Sequence, residues 1–312
     1  MERNLQVLTR FEDCSSFLYV EKSRIERKDS GLELQSDSGI IRVPIATIAT
    51  LILCPGTNIT HAAVVALSEA GTTVLWMGEE GHKFYAYGVG KTRSSGALLV
   101  QARAWSSMPL RVEVVRRMYS LRFNERLDQT LPIASIRGKE GARVRDAYAN
   151  LSSKYGVPWK GRSYKRESWH EADPINRCLS RASSMLYGIC HGAICSLGFS
   201  PAIGFVHTGK VLSFVYDIAD LYKTETVIPA AFEAISKDPG TAEQSVRQIF
   251  RDRLLEARIM KRLPNDLNCL FSKLHGDDRE FLNDGGNEDF VGSLWDESGS
   301  IEGGRNYGRD DD

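Results

Sequence analysis

The residues best able to do chemistry lie in one short window, FVHTGKVLSFVYDIAD at positions 205–220. The window holds one imidazole and two carboxylates, those of His207, Asp217 and Asp220. The apolar residues of SFVYDIADLYK recur with the period of a helix, which places both aspartates on an adjoining face. The three side chains are therefore expected to converge.

Such a set of side chains suits a divalent cation. One imidazole nitrogen with carboxylate oxygens matches Mg²⁺ or Mn²⁺, with positions left open for water and phosphate. A second interpretation of the window is also open. Asp217 and Asp220 near a helix start would complement the helix dipole, and His207 would be an ordinary loop residue.

A further carboxylate, Glu140, lies on the apolar stripe of a helix predicted over residues 138–156. A lone carboxylate on a core-facing stripe is costly unless it is paired or binds a metal. Glu140 is therefore a candidate for the same site. The alternative is a structural salt bridge to one of three nearby arginines, Arg137, Arg143 and Arg145.

Basic and aromatic residues alternate in WKGRSYKRESW at positions 159–169. Basic side chains in such a segment bind phosphates, and the aromatic rings offer surfaces on which bases stack. The alternative is a solvated loop with two anchoring aromatics. The candidates for DNA contact are Arg162, Tyr164, Lys165, Arg166 and Trp169.

Composition sets the outer limits. A chain of 312 residues is long enough for about two domains, at roughly 150 residues each. The sequence contains no apolar run near the roughly 18 residues that a membrane span needs, and no signal peptide is evident, so we expect a cytoplasmic protein. The six cysteines are scattered without a CxxC pair, which favours reduced, buried thiols over zinc or disulfides.

The formal net charge of zero hides an asymmetry. Residues 276–312 carry 12 acidic and 3 basic side chains, against 28 and 37 in residues 1–275. A basic body is suited to a polyanion, although a well-solvated surface would look the same. The acidic segment has too little apolar content to fold alone, and we expect it to be disordered.

The two halves of the body differ in periodicity. Short apolar runs separated by turn residues predict a strand meander, interrupted by one helix that Thr60 caps and Gly71 ends. Helical periods dominate from Ala97 onward, including SVRQIFRDRLLEARIMKRL read as one helical run. Strands that precede helices indicate an α+β protein of two domains, a small β-rich one and an all-α catalytic one. The predicted boundaries are 1–87 for the β-rich domain, 88–96 for a linker, 97–275 for the α-helical domain and 276–312 for the tail.

Three segments resemble a known family: PGTNITHAAV, the run RGKEGARVR at 137–145, and PAIGFVHTGKVLSFVYDIAD at 201–220. They are similar to the CRISPR-associated spacer-acquisition integrases, in their type I-E branch, and the likeness covers about residues 15–265. The resemblance implies a homodimer that assembles with a small ferredoxin-like second adaptation protein. Its DNA would be a duplex with 3′ overhangs and the CRISPR repeat.

The resemblance also implies roles for single residues. Glu140, His207 and Asp220 match the family's ligands for Mg²⁺ or Mn²⁺, and Asp217 matches a residue that supports them. Positions that match contacts to DNA or its overhang are Arg137, Arg145, Arg162, Tyr164, Tyr187 and Lys210.

The chain departs from the family pattern in three places. Asn58 stands where an arginine is expected, and Tyr19 matches only loosely the tyrosine wedged against the end of the duplex. The acidic tail replaces a proline-rich one.

The function expected is integration of short foreign DNA into a CRISPR array, by in-line attack of a DNA 3′-hydroxyl on a phosphodiester. A non-catalytic DNA-binding scaffold is one alternative. A helical metal-dependent nucleotide phosphohydrolase is another, but such sites commonly use an adjacent His-Asp pair, and none of the six histidines precedes an aspartate.

Overall fold

A computed structural model describes residues 16–78, 84–88, 95–162, 172–272, 274, 293–296 and 299–302. The described strands of the N-terminal half are β1 (Ser16–Val20), β2 (Arg24–Lys28), β3 (Gly31–Ser36), β4 (Gly39–Pro44), β5 (Ile48–Leu53), β6 (Asn58–Ile59), β7 (Thr73–Met77) and β8 (Phe84–Gly88), with helix α1 (His61–Glu69) between β6 and β7.

The helical half follows in the order α2 (Gly96–Ser106), α3 (Met108–Phe123), α4 (Ile133–Tyr155), α5 (Pro174–Ser196), α6 (Ser213–Ala219), α7 (Val227–Lys237), α8 (Ala242–Glu256) and α9 (Ile259–Phe271). Two further strands, β9 (Ser293–Asp296) and β10 (Gly299–Glu302), pair antiparallel. This sequence of elements confirms the predicted α+β architecture.

The β-rich half contains two described sheets, with strand orders β1-β5-β7-β8 and β4-β3-β2-β6. Strands β2, β3 and β4 follow one another antiparallel, as a meander requires. Strands β1, β5 and β7 instead pair in parallel, so the meander prediction is wrong for them. Parallel neighbours need crossover connections, which here are the second sheet and helix α1.

Helix α1 begins and ends where the sequence predicts. The hydroxyl of Thr60 accepts a hydrogen bond from the backbone N–H of Ala63 at 3.4 Å, as an N-cap does. Gly71 follows the helix with a φ of +74°, a left-handed conformation that costs glycine little.

Helix α5 lies at the centre of the molecule and packs directly on the sheet of the N-terminal half. A Cβ at Gly192 would lie 1.9 Å from Thr50 Oγ1, and one at Gly188 would lie 2.8 Å from Ile52 Cδ1. Thr73 Oγ1 donates a hydrogen bond to the Gly192 carbonyl at 3.4 Å. Only glycine allows this close approach, and we call this contact the glycine seam.

A histidine is buried beside the glycine seam. His191 is 1% exposed, and its ring lies against those of Phe84 and Tyr87, with centroids 5.0 and 4.6 Å away. Its Nε2 has no hydrogen-bond partner among the described residues. Burial lowers the pKa of His191 to about 4, so the imidazole is neutral near pH 7.

Three helix boundaries differ from the sequence prediction. Helix α4 begins before residue 138, at Ile133, and α6 ends at Ala219. The run read as one helix is two, because Arg258 adopts a left-handed φ of +51° between α8 and α9. No glycine or proline marks this break in the sequence.

Other predictions concern segments that are only partly described. Within 276–312, the eight residues of β9 and β10 form paired strands, so predicted disorder does not apply to them. Most of the predicted linker 88–96 lies outside the described residues, and its boundaries stay a prediction. Among the described helices, none is long and apolar enough to cross a membrane.

Candidate active site

Asp217 anchors the loop that carries His207. One carboxylate oxygen accepts hydrogen bonds from the backbone N–H groups of Phe205 and Val206 at 2.6 and 3.1 Å, and the other accepts one from that of His207 at 2.8 Å. The Asp217 side chain is 0% exposed. A single buried carboxylate in α6 therefore fixes the backbone of three consecutive residues.

The same carboxylate orients the imidazole of His207. Nδ1 lies 2.7 Å from Asp217 Oδ1, which assigns the proton of the neutral ring to Nδ1 and leaves a lone pair on Nε2. The hydrogen bond to Asp217 raises the pKa of His207 above its ordinary value, against the opposing effect of burial. Gly204 permits this tight loop, since a Cβ there would lie 2.3 Å from the His207 carbonyl oxygen.

Asp220 is the C-cap residue of α6 and faces His207. Its Oδ2 lies 4.0 Å from His207 Nε2 and 3.0 Å from Arg122 Nη2, and its Oδ1 lies 2.7 Å from Lys223 Nζ. Burial opposes ionisation of Asp220, but Lys223 and Arg122 hold its pKa below the ordinary value. A carboxylate at a helix C-terminus opposes the dipole, which rules out the dipole interpretation for this residue.

Glu140 joins the site from α4 with a side chain 15% exposed. Its Oε2 lies 3.2 Å from Arg143 Nη1 and its Oε1 lies 3.5 Å from Arg122 Nη1. Arg143 also donates a hydrogen bond to Thr224 Oγ1 at 3.0 Å, which ties α4 to the segment after α6. The salt bridge that the sequence offered as an alternative therefore exists, with Arg143 as the partner. Glu140 also shares the Arg122 guanidinium with Asp220.

Arg122 is the functional candidate that the sequence analysis missed. Its side chain is 4% exposed near the end of α3, with Cζ 5.2 Å from the Tyr119 ring centroid. One guanidinium nitrogen faces Glu140 and another faces Asp220. The signal that singled out Glu140 would have found it, because Arg122 shares the buried face of α3 with Met118 and Tyr119. We call the following set the ionic site: Arg122, Glu140, Arg143, Asp220 and Lys223.

The three predicted metal ligands thus come from separate elements to one place. Glu140 is on α4, His207 is in the loop before α6, and Asp220 ends α6. Their donor atoms suit Mg²⁺ or Mn²⁺. The Arg122 guanidinium faces both carboxylates, and within the described ranges no group of three or more His, Cys, Asp and Glu side chains is arranged to hold an ion. The donor chemistry fits, while the coordination itself stays a prediction.

A cavity of about 570 Å³ adjoins the site. Three predicted DNA contacts, Arg162, Tyr187 and Lys210, line it. The Tyr187 ring meets the Tyr216 ring edge-on at 5.1 Å, and Tyr216 meets the His207 ring at 5.9 Å. The cavity and the candidate active site therefore share an aromatic wall.

The other predicted DNA contacts are placed unevenly. Arg137 and Arg145 are exposed on α4, the helix that carries Glu140. Arg162 uses part of its guanidinium on α5, since it donates to Asn176 Oδ1 at 3.3 Å and to Ser180 Oγ at 3.1 Å. Four predicted contacts lie outside the described residues: Tyr164, Lys165, Arg166 and Trp169.

Tyr19 lies within β1 and is only partly exposed. The Arg247 guanidinium lies over its ring at 4.4 Å and donates to its hydroxyl at 3.2 Å. The hydroxyl in turn donates to Glu21 at 3.3 Å. These contacts join β1 to α8, and a role for Tyr19 at the end of a DNA duplex stays a prediction.

The chain resembles proteins of one family in sequence. A family model described as CRISPR associated protein Cas1 matches residues 17–124 and 120–249. The CRISPR-associated endonuclease Cas1 2 of Thermus thermophilus is 49% identical over 311 residues, covering 99% of this chain and 95% of that protein. The CRISPR-associated endonuclease Cas1 of Escherichia coli is 42% identical over 253 residues, covering 81% and 83%.

Solved structures resemble the chain as well. A crystal structure of a TtCas1–DNA complex has a TM-score of 0.79 and 46% identity, covering 93% of this chain and 100% of the other. A casposase bound to its integration product has a TM-score of 0.61 and 15% identity, covering 83% and 91%. At that identity the second likeness concerns the fold alone.

Proposed function

The chain belongs to the CRISPR-associated Cas1 family, and we propose that it is a DNA endonuclease and integrase that inserts short foreign DNA segments into a CRISPR array. Relatives named as CRISPR-associated endonucleases support this proposal, two of them at 49% and 42% identity. The structural likeness to a TtCas1–DNA complex supports DNA as the substrate.

The observation that carries the proposal is the convergence of Glu140, His207 and Asp220 from separate elements. His207 Nε2 and Asp220 Oδ2 lie 4.0 Å apart, and one buried guanidinium faces both Asp220 and Glu140. A salt bridge that served stability alone would not require an oriented imidazole that solvent can reach. Here Asp217 orients the His207 ring, and the His207 side chain is 43% exposed. An oriented imidazole beside buried carboxylates supplies the ligand types that a divalent-cation site for phosphoryl transfer uses.

These three residues would hold a divalent cation, Mg²⁺ or Mn²⁺. When bound, it would stabilise negative charge on the scissile phosphate and on the leaving oxygen. Asp217 serves by orientation, because it keeps the proton of the His207 ring on Nδ1 and Nε2 open. Lys223 and Arg122 keep Asp220 ionised.

The reaction is an in-line transesterification. A 3′-hydroxyl of the incoming DNA forms a new bond to phosphorus, and the bond between that phosphorus and its leaving oxygen in the repeat breaks. The attacking hydroxyl gives its proton to solvent and the leaving oxygen takes one up, so the number of phosphodiesters is unchanged. Water in place of the hydroxyl would give nuclease activity at the same site.

Exposed cations on α4, the helix that carries Glu140, are proposed to contact the DNA. Arg137 and Arg145 would contact phosphates along α4. The cavity lined by Arg162, Tyr187 and Lys210 would receive the overhang, with Tyr187 as a stacking surface.

We propose the assembly and the cellular location from the resemblance to the family. We expect a homodimer acting with a small ferredoxin-like adaptation protein, in the cytoplasm and in the type I-E branch. Ile40 and Ile41 support a protein partner, because they are 64% and 60% exposed on the edge strand β4.

The proposal is tested by strand transfer with purified protein, a short duplex with 3′ overhangs and a plasmid that carries the repeat. We expect joined DNA with Mg²⁺ or Mn²⁺ and none with EDTA. Glu140→Gln should abolish joining without lowering the melting temperature. Glu69→Gln removes an exposed carboxylate on α1 and serves as the control.

Three outcomes separate the proposal from its alternatives. Joining by Glu140→Gln at the control rate would support a DNA-binding scaffold or a different active site. Hydrolysis of nucleoside triphosphates without any DNA joining would indicate a phosphohydrolase. Joining that persists in EDTA would remove the metal from the mechanism.

A further inference from the structure

The ionic site carries more positive than negative charge. Arg122, Arg143 and Lys223 surround the carboxylates of Glu140 and Asp220. Of the two carboxylates, Arg143 contacts only Glu140 and Lys223 contacts only Asp220, whereas Arg122 contacts both. Arg122 is also the most deeply buried of the three, at 4% exposed against 32% for Arg143 and 27% for Lys223.

The bonding of Arg122 is incomplete. Its Nη2 lies 3.0 Å from Asp220 Oδ2, yet neither Nη2 nor Nε makes a hydrogen bond with any described group. A guanidinium normally satisfies its planar donors when buried. The contacts of Arg122 with both carboxylates are thus mainly electrostatic, which a stronger cation can replace.

A divalent cation and Arg122 cannot share the two carboxylates without cost. A bound Mg²⁺ would lie about 2.1 Å from the carboxylate oxygens. The Arg122 nitrogens already lie 3.0 Å from Asp220 Oδ2 and 3.5 Å from Glu140 Oε1. Repulsion between like charges at such distances is strong where water is excluded.

We propose that Arg122 is an internal counter-ion that a divalent cation must displace from Glu140 and Asp220. The inference rests on the proposed function, since it assumes that the two carboxylates bind the ion. Arg122 then holds the carboxylates together in the metal-free protein and lowers the affinity of the site for metal.

The test measures Mn²⁺ binding directly, by electron paramagnetic resonance of the free ion, without DNA or activity. Arg122→Gln should bind Mn²⁺ at least about tenfold more tightly than wild type, because one buried like charge is removed. Arg143→Gln should give a smaller gain, since Arg143 contacts one carboxylate and is more exposed. Arg247→Gln, on α8 beside Tyr19, should change nothing.

A second measurement uses the wild-type chain, in case Arg122→Gln folds poorly. The ¹⁵Nε–Hε resonance of Arg122 is assigned by its loss in Arg122→Lys. Saturating Mg²⁺ should shift this resonance, because the guanidinium leaves its carboxylates. An unshifted resonance, or Mn²⁺ binding by Arg122→Gln that is equal to or weaker than wild type, would overturn the inference.

Glu140→Gln separates this result from a failure of the proposed function. If Glu140→Gln leaves the Mn²⁺ affinity unchanged, both alone and combined with Arg122→Gln, the ion binds elsewhere. That result would contradict both proposals. Mn²⁺ affinity that depends on Glu140 but not on Arg122 would overturn only the role of Arg122.

Discussion

The glycine seam and the ionic site both lie next to buried titratable side chains. The protein keeps these side chains neutral in one region and charged in the other. Beside the seam, His191 is neutral near pH 7, because burial lowers its pKa to about 4. In the ionic site, Asp220 stays charged because Lys223 and Arg122 outweigh its burial. The buried group beside the seam is neutral, whereas the ionic site keeps its carboxylates charged by pairing them with cations.

This difference separates stability from function. Neutral close packing contributes to folding without needing counter-ions, whereas paired buried charges contribute little net stability. We therefore expect changes in the seam to alter unfolding, and changes in the ionic site to alter chemistry.

Asp217 should be the largest exception, because we expect it to contribute to both stability and function. Asp217→Ala should lower strand transfer by at least about 10³-fold, roughly 4 kcal/mol at the transition state, because His207 loses its orientation. It should also lower the free energy of unfolding by about 3 kcal/mol, since three backbone N–H groups lose their acceptor. Urea unfolding and strand-transfer assays measure the two effects.

Asp238 supplies the matched control for Asp217. It also accepts a backbone hydrogen bond, from Gly240 at 2.9 Å, but is exposed. Asp238→Ala should cost at most about 1 kcal/mol of unfolding free energy and leave joining unchanged. Equal effects of the two substitutions would remove the special role of Asp217.

Gly192→Ala tests the seam alone. The new Cβ would lie 1.9 Å from Thr50 Oγ1, so α5 or β5 must shift, at a cost of about 3 kcal/mol of unfolding free energy. Thr50→Ala in the same chain should recover part of that loss. Gly138→Ala, with no atom within 4 Å of its Cβ, should instead stabilise α4 by up to about 1 kcal/mol. Urea unfolding measures the free energy of unfolding of the three variants. A value for Gly192→Ala equal to that of wild type would contradict the prediction.

The neutral burial of His191 predicts a dependence of stability on pH. The unfolded chain takes up a proton near pH 6.5, whereas the folded state does so only near its lowered value of about 4. The free energy of unfolding should therefore be undiminished above pH 6.5 and fall as pH drops towards 4, with a slope approaching 1.4 kcal/mol per pH unit. Urea unfolding at several pH values should show a smaller slope for His191→Leu. Parallel profiles would show that His191 binds its proton equally well in the folded and unfolded states.

The smallest effect concerns an exposed arginine on α4, the helix that carries Glu140. Arg145→Gln should leave stability unchanged and reduce the slope of log affinity against log salt by about 0.9, the value for one phosphate contact. Fluorescence anisotropy with duplex DNA at several salt concentrations measures this slope. Lys154→Gln, nine residues further along α4, is the control. An unchanged slope for Arg145→Gln would return that arginine to the solvated surface.

Local patterns in the sequence were enough to find much of the site. His207, Asp217 and Asp220 lie within one window, and Glu140 stands out because a carboxylate interrupts an apolar stripe. The N-cap of α1 at Thr60 could be predicted for the same reason, since its hydrogen bond spans three residues.

Features that depend on distant parts of the chain were missed. Arg122 becomes a candidate through its contacts with Glu140 and Asp220, which reach it from other parts of the chain. The parallel pairing of β1, β5 and β7 joins strands far apart in sequence. The break at Arg258 requires a left-handed conformation that arginine adopts only when packing demands it.

The glycine seam also sets the order in which the chain can mature on the ribosome. Thr73 and Gly192, which meet there, are 119 residues apart. At about 10 residues per second, synthesis of the intervening chain takes roughly ten seconds. The face of the sheet that α5 will cover stays uncovered during that time, so the emerging N-terminal half exposes an apolar surface until α5 has been made.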